Sequence, residues 1–158
     1  MTLALQNEQD TASREIVVSR LMDARRELVF EAWTKQEHLE HWWGPNGFTT
    51  TTQKMDLRPG GQWRQVMHGP DGTDYPNLLE YVDIVPPERI VYKHSGNDDP
   101  AADFVTTILF ENENGKTRLT MQLLFSSAEA RNQNVAKYGS IEGGKQTLGR
   151  LARYVESM

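Results

Sequence analysis

The sequence predicts an α+β fold in which an antiparallel sheet curves around a long helix at the C-terminal end of the chain. Three observations support this prediction. Short β-prone segments separated by turn residues follow one another as far as Phe125. Two short helical segments lie near their beginning, and the only stretch long enough for a major helix, 126–158, comes after them. Helices segregated to one side of an antiparallel sheet are typical of the α+β class.

The segment 126–158 has one apolar stripe at helical spacing, made of Val135, Tyr138, Ile141, Leu148, Leu151, Ala152 and Val155. Ser126 or Ser127 is suited to the N-cap position. The same segment contains four glycines, Gly139, Gly143, Gly144 and Gly149. Each interior glycine costs about 1 kcal/mol relative to Ala, so propensity alone would not hold this helix. We therefore expect a sheet to pack on it, with the glycines facing a close neighbour or an internal space. A break at Gly143–Gly144 is the alternative.

Residues 139–145 fit the first seven positions of a phosphate-binding P-loop. Gln146 follows them, in place of the Ser or Thr that would hold magnesium. No predicted strand directly precedes the motif, and the apolar stripe runs through it. We therefore interpret the match as accidental and expect no nucleotide binding.

The chain has 158 residues, the size of one domain, and we expect a loose arm over 1–13 and a single domain over 14–158. Its net charge of −5 and the lack of a basic run argue against a nucleic acid or an anionic membrane as partner. Cysteine is absent, which excludes disulfides and thiolate chemistry. No apolar run approaches the length of a membrane span, and the N-terminus does not resemble a signal peptide. We expect a cytoplasmic protein.

Before the long helix, the sequence predicts a strand over 14–22 and then a helix over 24–33 capped by Asp23. A capping box at 34–37 starts a second, shorter helix. The strands that follow are separated by turns rich in Pro and Gly. They cover 48–57, 62–68, 78–85, 89–94, 103–111 and 117–125.

The last two strands form a hairpin closed by Asn114–Gly115. A two-residue turn pairs Glu113 with Lys116 and Glu111 with Arg118, and both pairs are opposite in charge. It also places eight mainly apolar residues on one face, Phe104, Thr106, Ile108, Phe110, Leu119, Met121, Leu123 and Phe125. We expect this face to look at the long helix.

The second short helix has Leu39, Trp42 and Trp43 at i, i+3 and i+4, so we expect both indoles to point the same way. Trp42 is the expected anchor and Trp43 the expected lid over a cavity mouth, although ordinary core packing would also explain the pair. His38 and His41 lie on the same helix, but their spacing matches no metalloprotease motif. We interpret them as part of a solvated helix face and expect no metal site.

On the strand 62–68, Trp63 and Met67 share a face with Gln65 between them. A two-residue turn at Pro59–Gly60 would place Lys54 and Asp56 on that same face. Sequence alone therefore leaves open which face of this strand is inside.

Extending strand pairing across Pro86–Pro87 places Glu80 opposite His94 and Val82 opposite Tyr92, in a register that depends on a longer loop. A buried Glu80–His94 pair would orient a polar ligand group or perform acid–base chemistry. A water-exposed pair at the end of the sheet is the alternative. No convincing set of residues combines a nucleophile with a base, so no catalytic residue is assigned.

Several motifs spread over nearly the whole chain after the arm can be considered together. They are Arg20, Val29–Phe30, Ala32–Thr34, Trp42–Pro45, Asp56–Gly61 with Trp63, Pro86–Tyr92, Thr147–Leu148 and Leu151. In combination they resemble the activator-of-heat-shock-protein-90-ATPase-like domains of the START-like, birch-allergen-like (SRPBCC) superfamily. The resemblance implies a helix-grip fold with a hydrophobic cavity, but no family-wide catalytic motif and no cofactor. Superfamily relatives bind lipids, hormones or polyketides, and a few act as cyclases.

We therefore expect the protein to bind a hydrophobic small molecule in a cavity between the sheet and the C-terminal helix, without a cofactor and without being an enzyme. The candidate cavity residues are Trp42, Trp43, Trp63, Met67, Glu80, Tyr92, His94, Phe104, Ile108, Met121 and Tyr138. Two alternatives stay open. One is a protein-interaction module that modulates a chaperone or another partner. The other is a cyclase-like or hydrolase-like enzyme that acts on a cavity-bound substrate through Glu80 and His94.

Overall fold

The computed structural model of the protein describes residues 11–95 and 99–158, so most of the expected N-terminal arm lies outside the described residues. The strands are β1 (Glu15–Met22), β2 (Thr49–Met55), β3 (Gln62–His68), β4 (Asp74–Val85), β5 (Arg89–His94), β6 (Phe104–Glu113) and β7 (Lys116–Phe125). The helices are α1 (Arg26–Thr34), α2 (Gln36–Trp42), α3 (Ala128–Tyr138) and α4 (Ser140–Glu156), with a short 3-10 turn at Pro100–Ala102.

The described strands form one antiparallel sheet in the order β1-β7-β6-β5-β4-β3-β2. The sheet is curved, and the helices pack on its concave face, which confirms the predicted α+β helix-grip fold. Strand β7 alternates strictly between buried and half-buried residues, because side chains along a strand point to opposite faces in turn. The buried set is the one predicted to face the helices.

The hairpin of β6 and β7 has the predicted register, with Glu113 opposite Lys116 and Ile108 opposite Met121. Glu113 also forms an ion pair with Arg118, with an N–O distance of 3.0 Å. The turn residue Asn114 has a φ of 54°, a left-handed conformation that Asn and Gly tolerate better than other residues. The two-residue turn therefore sets which face of both strands is buried.

The predicted start signals of α1 and α2 are both wrong. Helix α1 is capped by the backbone of Arg25 without a side-chain bond, and the backbone N–H of Asp23 instead donates to the Glu156 carboxylate at 3.0 Å. Thr34 is the last residue of α1, so its hydroxyl donates to the Phe30 carbonyl at 2.9 Å and is not available to cap α2. Asp23 is thus held through its backbone by the end of α4, and the Thr34 hydroxyl is used by the preceding helix.

The segment 126–158 is not the one continuous helix predicted from the sequence, but two helices that meet at Gly139, where φ is +60°. The predicted alternative break at Gly143–Gly144 is therefore wrong, because both residues lie within α4. Ser127 caps α3 as expected, accepting a hydrogen bond from the Ala130 N–H at 3.0 Å. The P-loop match does not form a loop either, since the helix runs through it from Ser140 onward.

Helix α4 packs on β1 and on the two short helices through Leu148, Leu151, Ala152 and Val155, which are all buried. The expectation that the glycines face a close neighbour holds at Gly144, where an added Cβ would lie 3.2 Å from the terminal methyl of Met121. Such a distance is tighter than ordinary packing. The glycine therefore allows the helix backbone to approach the sheet closely.

Candidate functional site

All four tryptophans of the chain meet where α1, α2 and the concave face of the sheet come together. Trp33 and Trp42 have ring centroids 4.7 Å apart, and Trp43 and Trp63 also lie 4.7 Å apart. Trp43 further contacts the ring of Tyr92 at 6.5 Å. Aromatic rings at these distances and steep angles stabilise one another beyond simple area burial. The cluster therefore forms a rigid aromatic wall over the middle of the sheet.

The two adjacent indoles of this wall have different roles. Trp42 is fully buried, and its indole Nε1 donates to the carbonyl of Ala32 at 3.1 Å. Trp43 is only half-buried and follows the end of α2, with an extended backbone at φ −64° and ψ 130°. The prediction that Trp43 continues the helix is wrong, because this change of backbone direction turns its ring towards Trp63 on the sheet. A lid role for Trp43 stays a prediction.

Strand β3 turns the face carrying Trp63, Gln65 and Met67 inward, which resolves the question that the sequence left open. The loop between β2 and β3 is longer than two residues, and the pairing shifts between Thr52 and Lys54. As a result Met55, and not a charged residue, lies opposite Trp63. The inner side of β3 is apolar apart from Gln65.

Gln65 is the functional candidate that the sequence analysis missed. Its side chain is 0% exposed, and neither its amide oxygen nor its amide nitrogen has a hydrogen-bond partner among the described residues. A buried amide without partners is unfavourable, and most buried polar atoms in folded proteins are paired. The available signal was a polar residue at an inward position of an otherwise apolar strand face.

His94 lies on the same concave face, at the end of β5. Its ring stacks on Phe104 at 4.7 Å with an angle of 9°, and its Nδ1 atom is buried without a hydrogen-bond partner among the described residues. Burial lowers the pKa of His94 to about 4, although the nearby backbone of Ala102 acts in the opposite direction. The imidazole is therefore neutral at neutral pH, and offers both a donor and an acceptor nitrogen.

The predicted pairing of Glu80 with His94 is wrong. The pairing of β4 with β5 shifts between Tyr81 and Asp83, which leaves an extra residue in β4. His94 consequently lies opposite Leu79, while Glu80 lies opposite Lys93 and is exposed. A one-residue slip sends a side chain to the other face of the sheet, so Glu80 is excluded from the concave side. The two residues do not form the buried acid–base pair on which the enzyme hypothesis depended.

The same bulge brings Tyr81 opposite Tyr92, in place of the predicted Val82. Both tyrosines are buried with ring centroids 6.4 Å apart, and burial raises the pKa of each phenol. Both hydroxyls are therefore protonated and uncharged. Tyr81 is a second residue of the concave face that the sequence analysis did not identify.

The remaining predicted cavity residues lie in two different places. Phe104, Ile108 and Met121 are on the concave face, and Ile108 is fully buried. Tyr138 is 44% exposed at the end of α3, and the amino group of Lys137 lies 5.2 Å from its ring centroid. The helix break at Gly139 separates Tyr138 from the apolar stripe of α4. It therefore does not join the other candidates.

The two histidines of α2 face the last turns of α4, on the outer side of the helices. His38 Nδ1 lies 2.6 Å from the Tyr154 hydroxyl, and the ring of His41 stacks on Tyr154 at 5.5 Å. Together with Arg150 and Arg153, His41 and Tyr154 line an open groove of about 280 Å³. Among the described residues, no three His, Cys, Asp or Glu side chains are grouped so that they could hold a metal ion.

Arg150 has a structural role in this groove. Its guanidinium donates to the carbonyl oxygens of Gly44 at 2.9 Å and Pro45 at 3.0 Å, where the chain leaves α2. Burial lowers the pKa of Arg150, and the neighbouring charge of Arg153 adds to this effect. The side chain thus holds the loop that carries Trp43 against α4.

No helix in the described part of the chain combines the length and the apolar character needed to cross a bilayer. A search of curated proteins gave no significant match. Solved structures of similar fold include a protein from Arthrobacter aurescens, with a TM-score of 0.84 and 23% identity, covering 94% of this chain and 90% of its own. A Nitrosomonas europaea protein has a TM-score of 0.83 and 21% identity, covering 92% of this chain and 96% of its own.

A Mycobacterium smegmatis protein is slightly more similar in sequence, with 26% identity and a TM-score of 0.80, covering 91% of both chains. These structures share the curved sheet and the C-terminal helix described above. The sequence pattern of one family, described as "Activator of Hsp90 ATPase homolog 1-like protein", matches residues 23–156. The match spans most of the chain, including the aromatic wall, β3 and α4. The chain therefore belongs to the family of activator of Hsp90 ATPase homolog 1-like proteins.

Proposed function

We propose that this protein binds an apolar small molecule between the concave face of the sheet and α4. The observation that carries the proposal is the side chain of Gln65, which is fully covered and unpaired on the concave face, next to Trp63 along β3. Leaving a buried polar group unpaired costs about 1–3 kcal/mol. A bound molecule that pairs with the amide would remove this cost.

The concave face that carries Gln65 has the composition expected of a small-molecule site. Trp43, Trp63 and Tyr92 supply aromatic surface, and His94 supplies one further unpaired polar atom. Sites for small molecules are generally apolar and aromatic, with a few polar groups that orient the ligand. We propose binding, and not catalysis, because the acid–base pair that catalysis would use is separated by the bulge in β4.

Titration with the uncharged apolar dye N-phenylnaphthylamine tests this proposal. We expect saturable binding with one dye per chain and a rise in the melting temperature, since a ligand that binds only the folded state stabilises it. In amide correlation spectra, the indole N–H signals of Trp43 and Trp63 should shift. The signal of Val17, on the outer face of the sheet, should stay in place.

Dye binding without saturation, or shifts confined to the outer face, would contradict the proposal. Native mass spectrometry of protein purified gently from its own host provides a second test. A co-purifying small molecule of constant mass, displaced by the dye, supports an internal site. Displacement should also reverse the shifts of the Trp43 and Trp63 indole signals.

A further inference from the structure

The hydrogen-bonding groups of Gln65 on the concave face indicate which chemical groups a ligand would need. Gln65 has an amide oxygen that accepts hydrogen bonds and an amide nitrogen that donates two. Thr52, its neighbour across β2 and β3, makes no hydrogen bond to the amide, and its hydroxyl accepts one from Trp63 Nε1 at 3.1 Å. A ligand edge with a donor beside an acceptor would satisfy both ends of the amide at once.

The inner positions of β3 to β7 carry no Asp, Glu, Lys or Arg among the described residues from Trp63 to Phe125. Their ionisable side chains are Tyr81, Tyr92 and His94, with Tyr75 at the outer end of β4. A charged group buried without a partner is strongly unfavourable. These five strands therefore offer no counter-charge to a carboxylate, a phosphate or an ammonium group near Gln65. Arg20, the charged inner residue of β1, lies opposite Leu119 at the other edge of the sheet.

His94 provides a second point of contact. Its unpaired Nδ1 lies on the same concave face as Gln65, two strands away and one inner position along the sheet. From ordinary strand spacing, the Cα atoms of the two residues are about 12 Å apart. Side chains on a concave face converge, so a ligand that contacts both would need a length of about two or three fused rings.

We infer that the ligand is a flat, uncharged molecule with a donor–acceptor edge that pairs with the Gln65 amide and a second polar group that reaches His94. This inference rests on the proposed function and specifies its ligand class. An amide, a lactam or a hydroxy-ketone has such an edge. Acids and amines of the same shape do not fit, since their charge would be left unpaired.

A matched set of naphthalene probes tests the inference by calorimetry with the intact protein at pH 7.5. Naphthamide has the donor–acceptor edge, methyl naphthoate has acceptors only, and naphthoate has the same shape with a negative charge. We expect naphthamide to bind at least about tenfold more tightly than naphthoate, as one lost pairing of a buried group predicts. Equal affinity for naphthamide and naphthoate would overturn the inference and leave the proposed function intact. Failure of every neutral probe, and of the dye, would instead reject the proposed function.

The variant Gln65→Leu removes the amide and retains an apolar side chain of similar length. We expect it to remove the preference for naphthamide over methyl naphthoate and to keep or raise the melting temperature, because an unpaired buried amide is lost. Gln62→Leu, on the other face of β3, is the matched control and should keep the preference. A large fall in the melting temperature of Gln65→Leu would show that the amide has a partner within the protein, which would also overturn the inference.

The contact with His94 is tested with a naphthamide that carries a hydroxyl group at the far end of its ring system. The added hydroxyl should strengthen binding several-fold in the wild type, and this gain should disappear in His94→Phe. Phe retains the stacking surface towards Phe104, so the fold is preserved. A gain that persists in His94→Phe would show that the second contact is not His94.

Discussion

Trp42 and Trp43 are adjacent in sequence, but the structure predicts that their removal has different effects. Trp42 is 0% exposed, lies 4.7 Å from the ring of Trp33 and donates a hydrogen bond to Ala32. Trp43 is half-buried and borders the proposed ligand position through its contact with Trp63. Trp42→Ala should therefore mainly reduce stability, and Trp43→Ala should mainly reduce dye affinity.

The magnitude for Trp42 can be estimated from the area that its side chain buries. A fully covered indole buries about 200 Å², which at about 25 cal/mol per Å² corresponds to about 5 kcal/mol. Measured replacements of buried Trp by Ala cost about 3–5 kcal/mol. For a domain of this length, each kcal/mol lowers the melting temperature by about 2–4 °C, so Trp42→Ala should lower the melting temperature by about 6–20 °C. Trp43→Ala should cost less, about 2–4 kcal/mol, since part of its surface stays exposed.

Thermal melts and N-phenylnaphthylamine titrations of both variants check this prediction. Trp42→Phe serves as a control, because it keeps most of the apolar area and loses the hydrogen bond to Ala32. It should recover most of the stability lost in Trp42→Ala. Equal destabilisation by Trp42→Ala and Trp43→Ala, or normal dye binding by a folded Trp43→Ala, would refute the assignment of the two roles.

Four further predictions concern stability and can be checked by melts or by denaturant titrations. Gly139→Ala should destabilise the protein by about 1 kcal/mol, because φ at this position is +60°. Gly143→Ala should be neutral or stabilise it by up to about 1 kcal/mol, since the added Cβ would meet only Pro45, at 3.5 Å. The reverse order of stability would contradict the helix boundary at Gly139. Burial lowers the pKa of His94 to about 4 in the folded state, whereas the pKa in the unfolded chain is about 6.5. Between about pH 6.5 and about pH 4 the unfolded state therefore binds a proton that the folded state does not bind. Stability should therefore fall as the pH drops through this range, and less steeply in His94→Phe; identical slopes would count against the burial of the imidazole. Arg150→Met should cost about 1–3 kcal/mol by leaving the carbonyls after α2 without a donor, and an unchanged melt would exclude this role. Met121→Lys should unfold or strongly destabilise the protein, because it buries an unpaired charge beside α4, and a melt close to wild type would show that this side chain does not face the helix.

Much of the fold could be predicted from residues that are neighbours in sequence. The two-residue turn at Asn114–Gly115 determines the register of β6 and β7, because the side-chain period of a strand leaves no freedom once the turn is set. Ser127, one of the two predicted cap candidates, caps α3, and a cap depends only on residues within one turn of helix. The inward positions of Phe104, Ile108 and Met121 follow from the same turn. These features depend on neighbours in sequence.

The features that define the candidate site depend on distant parts of the chain. The bulge in β4 replaces Glu80 by Leu79 opposite His94, and nothing local to β4 marks its position. Of the four glycines in the last segment, Gly139 takes the left-handed conformation, because the helix must turn there for α4 to lie against β1 while Gly144 lies beside Met121. Gln65 reads in sequence as an ordinary polar residue of a strand. Its significance appears only when the sheet curves, α2 ends and Trp43 turns towards Trp63, because burial is a property of the assembled fold and not of the residue.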